Sequence, residues 1–397
     1  MVYSAYSVED DLGTLRVAAT ATAEIVALEA HFVSYATGQE VAVVDDFVLV
    51  SGTVQNGVWH TAEPVQLDDL GYYKAIVNVT DGAGDTASLT GSLAYIMRTS
   101  FSVPVVNPQT VTYTDRLTQV SGTLTGIMPG NREIVPVPGA TVSVHNYGGT
   151  AQPVSATTAA DGTFTASLEI TAPGEVYTYF PGGPGHLNAY SDYTPVSVTP
   201  ETSQLTVTAS ATEVDAGQSV TLTGELTWPY GLVVDQMVWV QFCSPSGDCS
   251  QIASTRTGTD GSYAVAVTPP QTGYLLVRFT SSHPFISDAS ARSDVVVWHP
   301  AEFVDFAAYR EADTVFVGGR IRFGNVRPYP ITVEIQYQAP GTNAWTTVTT
   351  KEATLGDSSG YWVHSATVTP DSGNWRAYFP GEPNRWRPTA TALVYVG

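Results

Sequence analysis

Two short motifs near the end of the chain, Asn374-Trp375-Arg376 and Asn384-Arg385-Trp386-Arg387, fall within fourteen residues. Tryptophan offers a broad ring face that stacks on a sugar or a cation. Tryptophan and arginine are also the side chains most enriched at binding hot spots. A binding loop built from Trp375, Arg376, Arg385, Trp386 and Arg387 is one expectation. The same residues allow another reading, with Trp375 in a core, Trp386 packed on a neighbouring loop and the arginines solvated. Trp345 and Trp362 belong to the same stretch of sequence, and 181–186 and 281–285 are loops long enough to share a contact edge.

Other chemistry is weaker. Gly356-Asp357-Ser358-Ser359-Gly360 fits the Gly-x-Ser-x-Gly pattern, but a nucleophile elbow needs a helix after the serine. Here Tyr361 to Val368 reads as a strand, so an ordinary turn is expected and no catalytic residue is assigned, His364 included. The acidic pairs Asp45-Asp46 and Asp68-Asp69 and the Asp81…Asp85 loop invite calcium, which wants six to eight oxygens; a polar hairpin loop explains Asp81…Asp85 more simply. The seven histidines (31, 60, 145, 186, 283, 299 and 364) show no metal-ligand spacing. No metal and no cofactor are expected. Cys243 and Cys249 stand either side of five residues that include Pro245 and Gly247. A disulfide closing that loop is expected, with free thiols or a two-ligand metal site as the alternatives. A disulfide points to an oxidising compartment.

The elements that must position these residues are strands. Gly71, Gly174, Gly273 and Gly373 recur at spacings of 103, 99 and 100, each followed by an aromatic or apolar run such as Val176-Tyr177-Thr178-Tyr179-Phe180. Asp161-Gly162, Asp260-Gly261 and Ser359-Gly360 keep the same phase, as do Gly122, Gly224 and Gly319. Short segments alternate with period two between turn signals, for example Ala140 to His145 and Phe164 to Leu168. Six or seven such strands per hundred residues predict an immunoglobulin-like sandwich. Leu67-x-Asp69-x-Gly71-x-Tyr73 matches the tyrosine corner of that fold, with Tyr73 as the hydroxyl donor.

The repeat predicts an all-β chain of four tandem immunoglobulin-like β-sandwich domains, 1–98, 99–200, 201–298 and 299–397, in an extended array. A chain of 397 residues is long enough for four small cores. Its net charge of −21 argues against nucleic acid. By domain the charge is −10, −4, −6 and −1, and the last carries 8 of the 16 basic residues. A solvated acidic surface explains this; a sticky last domain on an acidic stalk is the functional reading. Charges, Gly and Pro interrupt every apolar run, so no membrane insertion is expected. Met1 to Ala5 has no basic region leading into an apolar core, and with the cysteines this favours a mature extracellular chain.

Ser121-Gly122-Thr123-Leu124, Pro138-Gly139-Ala140-Thr141-Val142, Asp161-Gly162-Thr163-Phe164 and Tyr179-Phe180-Pro181-Gly182, with their downstream counterparts, carry a resemblance. The units resemble tandem bacterial immunoglobulin-like domains of secreted and surface proteins from high-GC Gram-positive bacteria, well over 99–397 and more loosely over 1–98. The preference for Arg over Lys, 14 to 2, fits a GC-rich genome. The resemblance implies a spacer, stalk or adhesive module. The expected function is therefore a non-enzymatic extracellular protein acting as stalk, adhesin or protein-interaction module. Its partner would be a protein, a cell surface or a polysaccharide. The alternative is a carbohydrate-binding accessory protein using the Trp/Arg loop.

Overall fold

The computed structural model describes residues 2–8, 13–324, 330–356, 360–369 and 371–397. Ser358, with 357 and 359, lies outside them, and so does the serine turn reading. Among the described residues there is no helix; the chain is all-β and folds as a series of β-sandwiches. It divides into two compact units, 1–200 and 201–397.

The physical basis is alternation. Successive side chains of a strand face opposite ways, so an apolar/polar period of two buries one face and wets the other. Strand Thr163–Glu169 does this fully, with Phe164, Ala166 and Leu168 inside.

In the first unit, one eight-stranded sheet runs in the order Glu40–Val44, Ile25–Ser34, Gly71–Asp81, Thr86–Tyr95, Val2–Ser7, Leu15–Thr20, Asn56–Thr61, Phe47–Thr53. All its pairs are antiparallel except Val2–Ser7 with Thr86–Tyr95. It wraps a core that includes Phe32, Trp59, Tyr73, Leu93 and Tyr95. Tyr73 Oη donates to the Asp69 carbonyl at 2.6 Å, so the tyrosine corner is formed. Further along, strand Leu117–Ile127 is the centre of one sheet, and Gly174–Phe180 and Thr141–Tyr147 pair in the sheet facing it.

The second unit repeats that plan with Val220–Trp228 in one sheet and Gly273–Phe279 beside Met237–Cys243 in the other. Cys243 and Cys249 sit directly opposite on adjacent strands and form a disulfide. Closing so short a loop is worth about 2 kcal/mol by the chain-entropy argument. Beyond residue 300, strands Glu302–Glu311, Thr314–Arg322 and Tyr361–Val368 form one layer, and Ile331–Gln338 with Gly373–Phe379 the other. Strand Thr346–Leu355 pairs with both layers and joins them.

Candidate functional site

The five residues of the Trp/Arg motifs do not form one surface. Along Gly373–Phe379, Trp375, Ala377 and Phe379 point inward and Asn374, Arg376 and Tyr378 outward. Trp375 is 1% exposed, with its ring 5.3 Å from that of Tyr337. Trp386 is also 1% exposed and meets Phe323 edge-on at 5.3 Å. Neither ring face is open to a ligand, so the expectation that Trp375 and Trp386 stack on one is corrected: core packing consumes both.

Arg385 covers the outer side of Trp386, its guanidinium 4.1 Å from the ring centre and 3.6 Å from Glu382. Arg387 reaches Asp215 at 3.7 Å and lies 5.4 Å from the Trp298 ring centre. The backbone of this loop is bonded as well. His299 N–H donates to the Arg385 carbonyl at 2.8 Å, and Thr272 Oγ1 donates to the Asn384 carbonyl at 2.5 Å. Gly381 is required there: its φ is +82°, and a Cβ would come within 2.6 Å of the Trp386 carbonyl.

The same bonding recurs in phase. Met97 N–H donates to the Gly185 carbonyl, and the Met97 carbonyl accepts from Leu187 N–H, at 2.8 and 3.0 Å. Glu201 N–H donates to the Phe285 carbonyl, and the Glu201 carbonyl accepts from Ser287 N–H, at 2.8 and 3.0 Å. Short parallel bridges join Met97 to His186, Glu201 to Ile286 and His299 to Trp386. All three loops grip the chain as it enters their own sandwich. Part of their length serves that clasp. Burial, then the Arg385 charge, push the His299 imidazole below its ordinary range.

Arg376 alone stays on an open sheet face. Its guanidinium lies 4.0 Å from the Trp345 ring centre, and its Nε donates to Gln336 Oε1 at 2.8 Å.

A concave surface in the same repeat belongs to other residues. The outer face of the 302–368 layer carries three cross-strand rows: Asp305, Arg320 and Trp362; Ala307, Gly318 and His364; Tyr309, Phe316 and Ala366. The middle row has almost no side chain on two of its strands. The rows beside it are aromatic: Tyr309 and Phe316 stack at 5.5 Å, and Trp362 carries Arg320 4.8 Å from its ring centre. Asp305 fixes Arg320 from the far side, accepting from its Nε at 2.7 Å. His364 stacks on Trp362 at 5.7 Å, nearly coplanar. The result is a groove of about 880 Å³ with Lys351 and Ser365 also in its lining.

Strand rise sets Phe316 and Arg320 roughly 13 Å apart, room for one ring or an extended chain above the Gly318 floor. Ring faces and polar ends suit stacking and hydrogen bonding. The sequence held one signal for the groove: Gly318-Gly319 inside a strand, which marks a close approach. The two glycines differ. A Cβ on Gly319 would lie 2.7 Å from the Asp305 carbonyl, whereas one on Gly318 meets only the exposed His364 ring, at 3.0 Å.

Among the other sequence candidates, Asp81 is spent locally. Its carboxylate accepts from the Ala83 and Asp85 N–H groups, both at 3.0 Å, and closes its own hairpin. Among the described residues no three metal-ligating side chains converge.

The chain matches no known family and no curated protein. Three solved structures are similar to it at low level. A Salmonella alpha-2-macroglobulin variant is 11% identical with a TM-score of 0.28, over 100% of this chain and 31% of that one. The native conformation of E. coli alpha-2-macroglobulin is 10% identical with a TM-score of 0.22, over 98% and 28%. The Yersinia pseudotuberculosis adhesin InvE is 16% identical with a TM-score of 0.31, over 66% and 97%. The chain thus spans less than a third of either macroglobulin.

Proposed function

We propose that this chain is a non-enzymatic, extracellular, multidomain binding protein, an adhesin or interaction module whose immunoglobulin-like repeats 1–98, 99–200, 201–298 and 299–397 carry a ligand face on the last. The observation that carries the reading is the groove over Gly318, walled by Tyr309, Phe316, Trp362 and Arg320. Partly exposed aromatic rings on either side of a nearly bare floor cost little to desolvate and give a ligand ring two faces to meet. The Cys243–Cys249 disulfide supports an oxidising setting.

A polysaccharide ligand is the second reading, and the same groove favours it. A pyranose presents an apolar C–H face to the rings and hydroxyls to Asp305, Lys351 and His364. The Trp/Arg loop no longer supports that reading, because its tryptophans are buried.

The test is retention of the full chain on cellulose, xylan, chitin and peptidoglycan, and on immobilised surface-protein fractions, beside Gly318→Val. Ligand capture that the valine abolishes supports the groove. Polysaccharide capture selects the second reading, and protein capture the first. Capture that survives filling the groove contradicts both.

A further inference from the structure

A second open surface lies in the first unit. Strand Gly174–Phe180 turns Val176, Thr178 and Phe180 inward and Tyr177 and Tyr179 outward. Strand Thr141–Tyr147 sets His145 opposite Tyr177, and Tyr190 lies opposite Tyr179 on the other side. The rings stack across the strands. His145 lies 4.7 Å from Tyr177, Tyr190 lies 4.5 Å from Tyr179, and Tyr193 is 5.4 Å from Tyr177. Tyr190 and Tyr193 are 62% and 57% exposed.

Elsewhere in this molecule, aromatic rings are matched by the chain's own guanidinium groups. Arg16, Arg116, Arg292, Arg320, Arg376, Arg385 and Arg387 each lie over a ring. The tyrosine face has no such partner among the described residues, and the sequence explains why: no Lys or Arg occurs between Arg132 and Arg256. Exposed Glu175 lies on the same strand, and exposed Asp192 sits between Tyr190 and Tyr193. Electron-rich ring faces beside unmatched carboxylates attract cations.

We propose that the tyrosine face of 143–193 docks an extended peptide segment carrying arginines. Arginine fits better than lysine because its planar guanidinium stacks on a ring while its N–H groups still reach carboxylates. Alternate side chains of an extended peptide repeat every ~7 Å, the same interval that separates Tyr177 from Tyr179 along their strand. An Arg-x-Arg segment therefore sets successive guanidinium groups against successive tyrosine pairs, Tyr177 with Tyr193 and Tyr179 with Tyr190, meeting the exposed ring of each pair. The surface is separate from the Gly318 groove and stands or falls independently of it.

The probe is a labelled Ser-Arg-Ser-Arg-Ser-Arg-Ser peptide, with its glutamine counterpart, titrated into the full chain by fluorescence anisotropy at about 150 mM salt, where exposed charges are largely screened beyond ~8 Å. The test variant is Tyr190→Leu with Tyr193→Leu, which removes two ring faces and keeps every charge. Two exposed cation–π contacts predict at least about fivefold weaker binding in the variant. The glutamine peptide should bind neither protein. In the unmutated chain, the arginine peptide should also shift the ring resonances of Tyr190 and Tyr193, a readout independent of how the variant folds. Absence of arginine-peptide binding, equal affinity in the variant, equal binding of the glutamine peptide, or shifts confined to other residues would each overturn the proposal.

Discussion

Two tryptophan-bearing regions of the last hundred residues each set an arginine over the ring, one through neighbours in sequence and one through strand register. In the 380–388 loop, Trp386 is buried against Phe323 and roofed by Arg385. On the 302–368 layer, Trp362 stands on the outer face with Arg320 over one side and a groove beside it. Both are Trp–Arg pairs. What separates them is what lies against the ring: buried core in one, the His364 ring at the edge of an open glycine row in the other. A hot-spot composition can therefore offer a ring to a ligand only where the fold does not spend that ring on its core.

The largest expected effect tests the buried member. Trp386→Ala should cost about 3–5 kcal/mol, the usual range for emptying a large aromatic site. Denaturant unfolding of the full chain would show it as an early transition of the last repeat. If Trp386→Ala left unfolding unchanged but removed ligand capture, the roles of the two regions would be reversed.

The half-buried member should behave the other way. Trp362→Ala should abolish capture and cost less stability than Trp386→Ala, because only part of its ring is removed from water. The glycine pair sharpens the point. Gly318→Val should fill the groove without loss of fold, since valine suits a strand and only the exposed His364 must move. Gly319→Val should destabilise by roughly 1–3 kcal/mol, because its Cβ has the Asp305 carbonyl in the way. Thermal melts of the two variants side by side would show the split.

Smaller still is the clasp's charge pair. Arg387→Ala should change stability by about 0–1 kcal/mol, because its 3.7 Å contact with Asp215 is solvent-exposed. A loss of several kcal/mol would mean that charge rather than the backbone bonds holds the junction.

The smallest effects are in pH. His31 is raised above its ordinary value chiefly by its hydrogen bond to Glu29, with Glu40 adding to it. Its contribution to stability is complete below about pH 6.5 and is lost as pH rises through the raised value. His145, lowered by burial, and His299, lowered by burial and Arg385, work in the opposite sense: they cost stability as pH falls below about 6.5. Histidine resonances followed by NMR should show His31 titrating at a higher pH than His145 and His299.

Much of the fold was legible because it depends on local pattern. Period-two alternation and in-phase glycines gave an all-β series of sandwiches; Tyr73 lay in a recognisable corner; Cys243 and Cys249 had hairpin spacing. Alternation also held the fate of Trp375, which shares its phase with Ala377 and Phe379. Trp386 had no such cue, because it lies in a loop and is buried by residues as distant as His299 and Phe323. The groove was hidden for a related reason. Its rows combine residues near 307, 318 and 364, and only strand register brings them together.

The most direct test of the division of labour is one comparison on a captured ligand. Full-length chain, Gly318→Val, and a double Arg385→Ala, Arg387→Ala variant would be assayed together, with folding checked by thermal melting. The account predicts that the folded valine variant loses the ligand and the double-arginine variant keeps it. Retention by the valine variant with loss by the double-arginine variant would contradict it and return the site to the loop.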